Sequence, residues 1–148
     1  MAQTYTRLLY HIVFSTKNRE PWIDEAWRPE LHAYIGGLVR NRKGELLAAG
    51  GIPDHIHLLV RLAADRSVSD VVRDIKSNSS SWLHQRGVFP FAWQDGYGAF
   101  TVSPSAIPGV VAYIDNQVAH HAKEAFCDEF VAMLLEHDVE YDEKYLWS

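Results

Sequence analysis

The chain predicts an α+β fold: an antiparallel sheet built in the order βαββαβ, with further helices after it. Three observations carry this expectation. Residues 7–16 (RLLYHIVFST) and 55–62 (HIHLLVRL) are strand-length runs of β-branched, aromatic and aliphatic residues. After Ser67 the apolar residues recur at helical spacing, at Val68, Val71, Val72, Ile75 and Leu83. Turn residues such as Pro53-Asp54 separate these runs. The chain has 148 residues, 47% of them hydrophobic and 12% aromatic, enough for one domain over 1–148 with a real core.

In order, 7–16 reads as a buried strand, and 27–43 as a helix with Leu31, Ile35 and Leu38 on one face, weakened by Gly36 and Gly37. A short strand over 46–52 turns at Pro53-Asp54 into the strand 55–62. Ser67 is an N-cap with Asp70 three residues on, and its helix runs to about Gln85. A turn-rich stretch over 87–98 leads to a fourth strand at 99–103. Pro104-Ser105 opens another helix, which carries Val110, Val111, Ile114 and Val118. A last helix over 124–137 has the stripe Phe126, Phe130, Met133 and Leu134, and the acidic, aromatic tail is expected to dock on the body. This is the ferredoxin-like arrangement, with two helices on one face of the sheet and the other face free to host a site.

Composition narrows the function classes. Cys127 is the only cysteine, which excludes a disulfide framework and a CxxC zinc site. No apolar run approaches a membrane span and no signal peptide pattern opens the chain, so a cytoplasmic protein without a membrane partner is expected. The net charge of −5 counts against a nucleic-acid partner. It is unevenly spread: residues 1–100 hold 12 Lys/Arg against 10 Asp/Glu, and the remainder holds 2 against 9. A basic body with an acidic tail is compatible with DNA without arguing for it.

Two constellations carry chemistry. Strand alternation sends His55 and His57 to one face and Ile56, Leu58 and Val60 to the other, so two imidazoles stand side by side and can share a metal ion. H-x-H alone is also met as two histidines on a half-exposed strand. Tyr113 and Gln117 lie four residues apart on one helical face, which by spacing alone describes a surface tyrosine beside a solvated glutamine. His120 and His121 continue roughly that face, as solvated groups, DNA contacts or an additional site.

Pro-Asp-His-Ile-His-Leu-Leu-Val (53–60) followed by Val-Ala-Tyr-Ile-Asp-Asn-Gln (111–117) resembles the single-tyrosine HUH transposases of small insertion sequences, a group that includes the REP-associated tyrosine transposases. Residues 10–14 (YHIVF) and 93–103 (WQDGYGAFTVS) are also similar, so the resemblance spans about 5 to 125. It implies the same ferredoxin-like sheet. It implies Tyr113 as the nucleophile, with Mg²⁺ or Mn²⁺ held by His55, His57 and Gln117. It further implies single-stranded, hairpin-bearing DNA as the substrate, a 5′-phosphotyrosine intermediate and a homodimer, although the REP-associated branch includes monomers.

Phosphate contacts are sought among Lys17 and Arg19 after the first strand, Arg40, Arg42 and Lys43 at the end of the first long helix, and Arg73 and Lys76 on the next. Each cluster also reads as a solvated face. Trp93 and Tyr97 suit either stacking on an unpaired base or packing in the core. Three other functions fit some of these features: a relaxase with a related site, a catalytically idle DNA-binding descendant, and a phosphodiesterase in which water attacks.

Overall fold

The computed structural model describes residues 3–122 and 124–147. Four strands, β1 (Leu8–Ser15), β2 (Glu45–Ile52), β3 (His55–Leu62) and β4 (Gly98–Thr101), form one sheet in the order β2-β3-β1-β4. Every neighbouring pair is antiparallel. The crossovers are α1 (Arg28–Asn41) between β1 and β2, and α2 (Val68–Gln85) between β3 and β4. The expected βαββαβ order is therefore observed, and element ends differ from expectation by a residue or two.

Local chemistry sets the elements. Ser67 accepts a hydrogen bond from the Asp70 backbone N–H and starts α2, and Pro29 in the first turn opens α1 with a fixed φ. Pro53 and Asp54 form the two-residue connection that pairs Ile52 with His55 and so fixes the β2–β3 register. Ile12, Phe14, Ile56, Leu58 and Val60 then face α1 and α2, where they join Leu31, Ile35, Val71 and Ile75 in the main core.

The second face is not free. A single turn of 3₁₀ helix at Pro104–Ala106 leads into α3 (Ile107–Asp115), followed by α4 (Gln117–His121) and α5 (Phe126–Glu136), and these helices roof it. Phe126, Phe130, Met133 and Leu134 of α5 pack on Val13 and Phe100 in a second, smaller core, which Tyr141, Leu146 and Trp147 extend. The tail docks as expected. A sheet with alternating side chains has apolar residues to bury on both faces, and Val13 and Phe100 draw α5 down. Gly50 permits the closest approach: a Cβ there would lie 2.2 Å from the Ile114 carbonyl oxygen of α3. The helix expected to run through Val118 breaks at Asn116 (φ −99°, ψ 19°) before α4 begins, and Val118 beyond the break is 65% exposed.

Candidate active site

His55 and His57 are fully buried on the face away from α1 and α2, as alternation requires. His11 of β1 joins them from the adjoining strand, its Nε2 2.9 Å from His57 Nδ1. The Asp54 carboxylate accepts the Nδ1–H of His55 at 2.8 Å. With Nδ1 engaged in both cases, His55 and His57 turn Nε2 toward the roof, the orientation that outer hydrogen bonds impose on metal-binding imidazoles.

The roof supplies the remaining groups. Gln117 is buried, and its Oε1 lies 3.2 Å from His55 Nε2 and 3.0 Å from His121 Nε2. Its amide also donates to the Tyr113 carbonyl at 3.3 Å, holding α4 to α3 across the break at Asn116. Glu129 of α5 is 2% exposed and lies at the centre of the cluster. Its Oε1 is 2.9 Å from His57 Nε2, 3.1 Å from His121 Nε2 and 3.5 Å from His55 Nε2. Its Oε2 accepts a hydrogen bond from the Tyr113 hydroxyl and another from the Gln117 amide at 3.3 Å. His120 Nε2 stands 3.1 Å from that same oxygen without hydrogen-bonding alignment. The ligand atoms of His55, His57, His121 and Glu129 lie within 4.8 Å of one another.

Burial lowers the His57 pKa to about 4 and outweighs Glu129, which raises it; burial and the neighbouring His57 lower His11 to about 3. Burial pushes the Glu129 carboxyl up, yet hydrogen bonds and charge from His57, Tyr113 and His121 hold it below the usual carboxylate range. Burial, then the adjacent Glu129, raises the Tyr113 phenol above its ordinary value. The centre is thus an ionised carboxylate among imidazole and amide acceptors, and the phenol beside it is hard to ionise. That donor set fits a divalent cation, which would satisfy the converging acceptors. Tyr113 also borders an open cleft of about 560 Å³ between α3 and α5, lined by Ser103, Gly109, His120, Glu124 and Met133 among others.

The structure therefore brings together His55, His57, Tyr113, Gln117 and His121, with His120 at the rim. The expected phosphate-binding residues are distributed elsewhere. Lys17, Arg19, Arg40, Lys43 and Arg73 are exposed, with Arg73 paired to Asp70 at 2.8 Å and Arg42 to Asp74 at 3.1 Å. The Arg19 guanidinium lies 5.3 Å over the Trp147 ring and hydrogen-bonds the Cys127 sulfur. Lys76 turns inward, donating to the carbonyls of Gln94 (2.8 Å), Asp95 (3.2 Å) and Gly96 (2.6 Å). Trp93 is a core residue, edge-on to Phe14 and Phe91 with its indole N–H on Ser79 Oγ, so base stacking is not its role. Sequence reasoning missed Glu129, His11 and Asp54. The signal for Glu129 was a carboxylate inside the apolar stripe between Phe126 and Phe130; for His11 it was a histidine on the same strand face as Val13.

Residues 4–117 match the sequence profile of the family described as "Transposase IS200 like". The transposase for insertion sequence element IS200 of Salmonella typhimurium is 28% identical over 135 residues, covering 84% of this chain and 83% of that protein. Its namesake from Salmonella typhi matches equally. Among solved structures, a candidate transposase of Deinococcus radiodurans shares the fold at a TM-score of 0.62 and 24% identity, over 79% of this chain and 96% of that one. A REP-associated tyrosine transposase solved with a REP hairpin aligns at 0.58 and 21% identity, over 77% and 68%. With the profile spanning the whole sheet, Tyr113 and Gln117, the chain belongs to the IS200-like transposases.

Proposed function

We propose that this transposase breaks and rejoins single-stranded DNA through a covalent link to Tyr113, at a divalent metal centre that includes His55, His57 and Gln117. The carrying observation is the Tyr113 hydroxyl on a carboxylate that also faces both imidazoles of the H-x-H strand. No other nucleophile is placed against the cluster among the described residues. When bound, the ion would polarise the scissile phosphate and offset charge in the transition state. The chain's own groups do the rest. Glu129 and Gln117 hold Tyr113 at the mouth of the cleft, and the sheet and α5 exclude water from the buried side.

The Tyr113 oxygen attacks phosphorus as its O–H proton passes to the Glu129 carboxylate, and a phosphorus–oxygen bond forms as the bond to the 3′ oxygen breaks, that oxygen taking up a proton in turn. The products are a 5′-phosphotyrosine and a free 3′-OH. A second 3′-OH reverses the step and joins new ends, with no high-energy cofactor needed. The relative bound to a REP hairpin supports a hairpin near the cleavage site as the recognition element. Exposed Lys17, Arg19, Arg40, Lys43 and Arg73 are the proposed phosphate contacts, with Arg42 beside them. Lys76 would act indirectly, by shaping the loop at 94–96. A homodimer is the proposed assembly, although every group in the cluster comes from one chain.

The test is incubation with Mn²⁺ and labelled hairpin-bearing single strands, followed by denaturing gels. A protein–DNA adduct that vanishes in Tyr113→Phe is expected. Binding without any adduct would instead indicate an idle DNA-binding descendant. Cleavage that survives Tyr113→Phe would make water the nucleophile. Light scattering reports the assembly.

A further inference from the structure

We propose that His121 and Glu129 are metal ligands themselves, completing with His55, His57 and Gln117 a centre of three imidazoles, one carboxylate and one amide oxygen. Such a centre takes a transition ion, Mn²⁺, Zn²⁺ or Co²⁺, in preference to Mg²⁺. This deepens the metal-dependent reading above and rests on it. Both residues lie beyond the segment matched by the family profile, which ends at Gln117.

His121 is built like the two strand histidines. Its Nδ1–H is donated to the Glu124 carbonyl at 2.6 Å, so in the unprotonated form that a metal requires, Nε2 is the acceptor nitrogen. That nitrogen points at two oxygens that are also acceptors, Gln117 Oε1 at 3.0 Å and Glu129 Oε1 at 3.1 Å. His55, with Nδ1–H committed to Asp54, faces the same two oxygens at 3.2 and 3.5 Å. Buried lone pairs aimed at one another are unfavourable unless a cation stands between them. Each of the three histidines thus has an outer partner on Nδ1 (Asp54, His11, Glu124) and a convergent Nε2.

The choice of ion follows from donor type. Mg²⁺ demands oxygen ligands and keeps much of its water, whereas imidazole-rich sites favour first-row transition ions. Glu129 divides its two oxygens, Oε1 toward the imidazoles and Oε2 toward Tyr113, so one carboxylate would tie the nucleophile to the ion.

Metal-stripped protein titrated calorimetrically with MnCl₂, ZnCl₂, CoCl₂ and MgCl₂, without DNA, is expected to bind transition ions at least about a hundredfold tighter than Mg²⁺. His121→Ala and Glu129→Gln are each expected to weaken that binding by about ten- to a hundredfold or more. Since a buried substitution can unfold the chain, pulsed EPR of the wild-type protein with Mn²⁺ counts bound imidazoles independently, and three are expected. Two imidazoles, equal Mg²⁺ affinity, or unchanged affinity in both folded variants would overturn the proposal. A Tyr113-dependent adduct alongside any of those results would leave the strand-transfer reading standing and remove only this one. Binding as stated with no adduct on any strand would do the reverse.

Discussion

Toward α1 and α2, strand β3 offers Ile56, Leu58 and Val60, all fully buried in one large apolar core. Toward α3, α4 and α5 the same strand offers His55 and His57, equally buried but surrounded by Gln117, His121 and Glu129. Burial is the same on both sides, so burial alone does not distinguish core from site. What differs is the means of satisfaction. The first face gains stability from area removed from water. The second must match each polar atom with a partner, at little net gain. The first face therefore sustains the fold, and the second can be specialised for chemistry.

Adjacent residues on β3 give the largest contrast. His57→Ala is expected to lower adduct formation by about a thousandfold or more, since it removes a central group of the site. Ile56→Ala should cost about 2–5 kcal/mol of stability. Urea denaturation of the metal-free proteins beside adduct assays separates the two effects; equal stability losses would erase the distinction between the faces.

Next is Gly50→Ala, where the methyl group meets the Ile114 carbonyl. Displacing α3 should cost about 1–3 kcal/mol and disproportionately reduce metal affinity and adduct yield, because Tyr113 and Gln117 follow α3. Retained affinity in calorimetry would show that α3 can shift without the site.

A smaller effect concerns acid. On α1, burial and then Arg28 lower His32 to about 4 from an ordinary 6.5. Between those values the unfolded chain binds a proton that the folded chain refuses, so stability falls as pH drops from 6.5 toward 4. His32→Gln should flatten the pH dependence of the urea midpoint in metal-free protein, and an unchanged slope would assign acid sensitivity to the polar face alone. The smallest effect is expected at Ser67→Ala, a loss of about 1 kcal/mol in thermal unfolding with adduct formation intact.

The apolar face was largely legible in the sequence because period-2 and helical patterns are local, and β3 and α2 begin and end close to where those patterns say. His55, His57, Tyr113 and Gln117 converge because two short motifs encode them. Glu129 was not legible, since its meaning depends on α5 folding back over the sheet, which Val13, Phe100 and the tail decide together. Trp93 was legible only as two alternatives, base stacking or core packing, and it is Ser79 and Phe14, distant in sequence, that enclose it and decide for the core.

The helix break at Asn116 has its own consequence. Tyr113 sits on one side of it, and Gln117 and His121 on the other. A straight helix would move these three as one rigid rod. The one-residue break instead turns α4 relative to α3 and brings Tyr113, Gln117 and His121 to the same cluster from two short segments. The two segments nevertheless stay laced together, by Asn116 N–H on the Ala112 carbonyl, His120 N–H on the Asn116 carbonyl and the Gln117 amide on the Tyr113 carbonyl, so a substitution at Asn116 is expected to disturb both sides of the cluster at once.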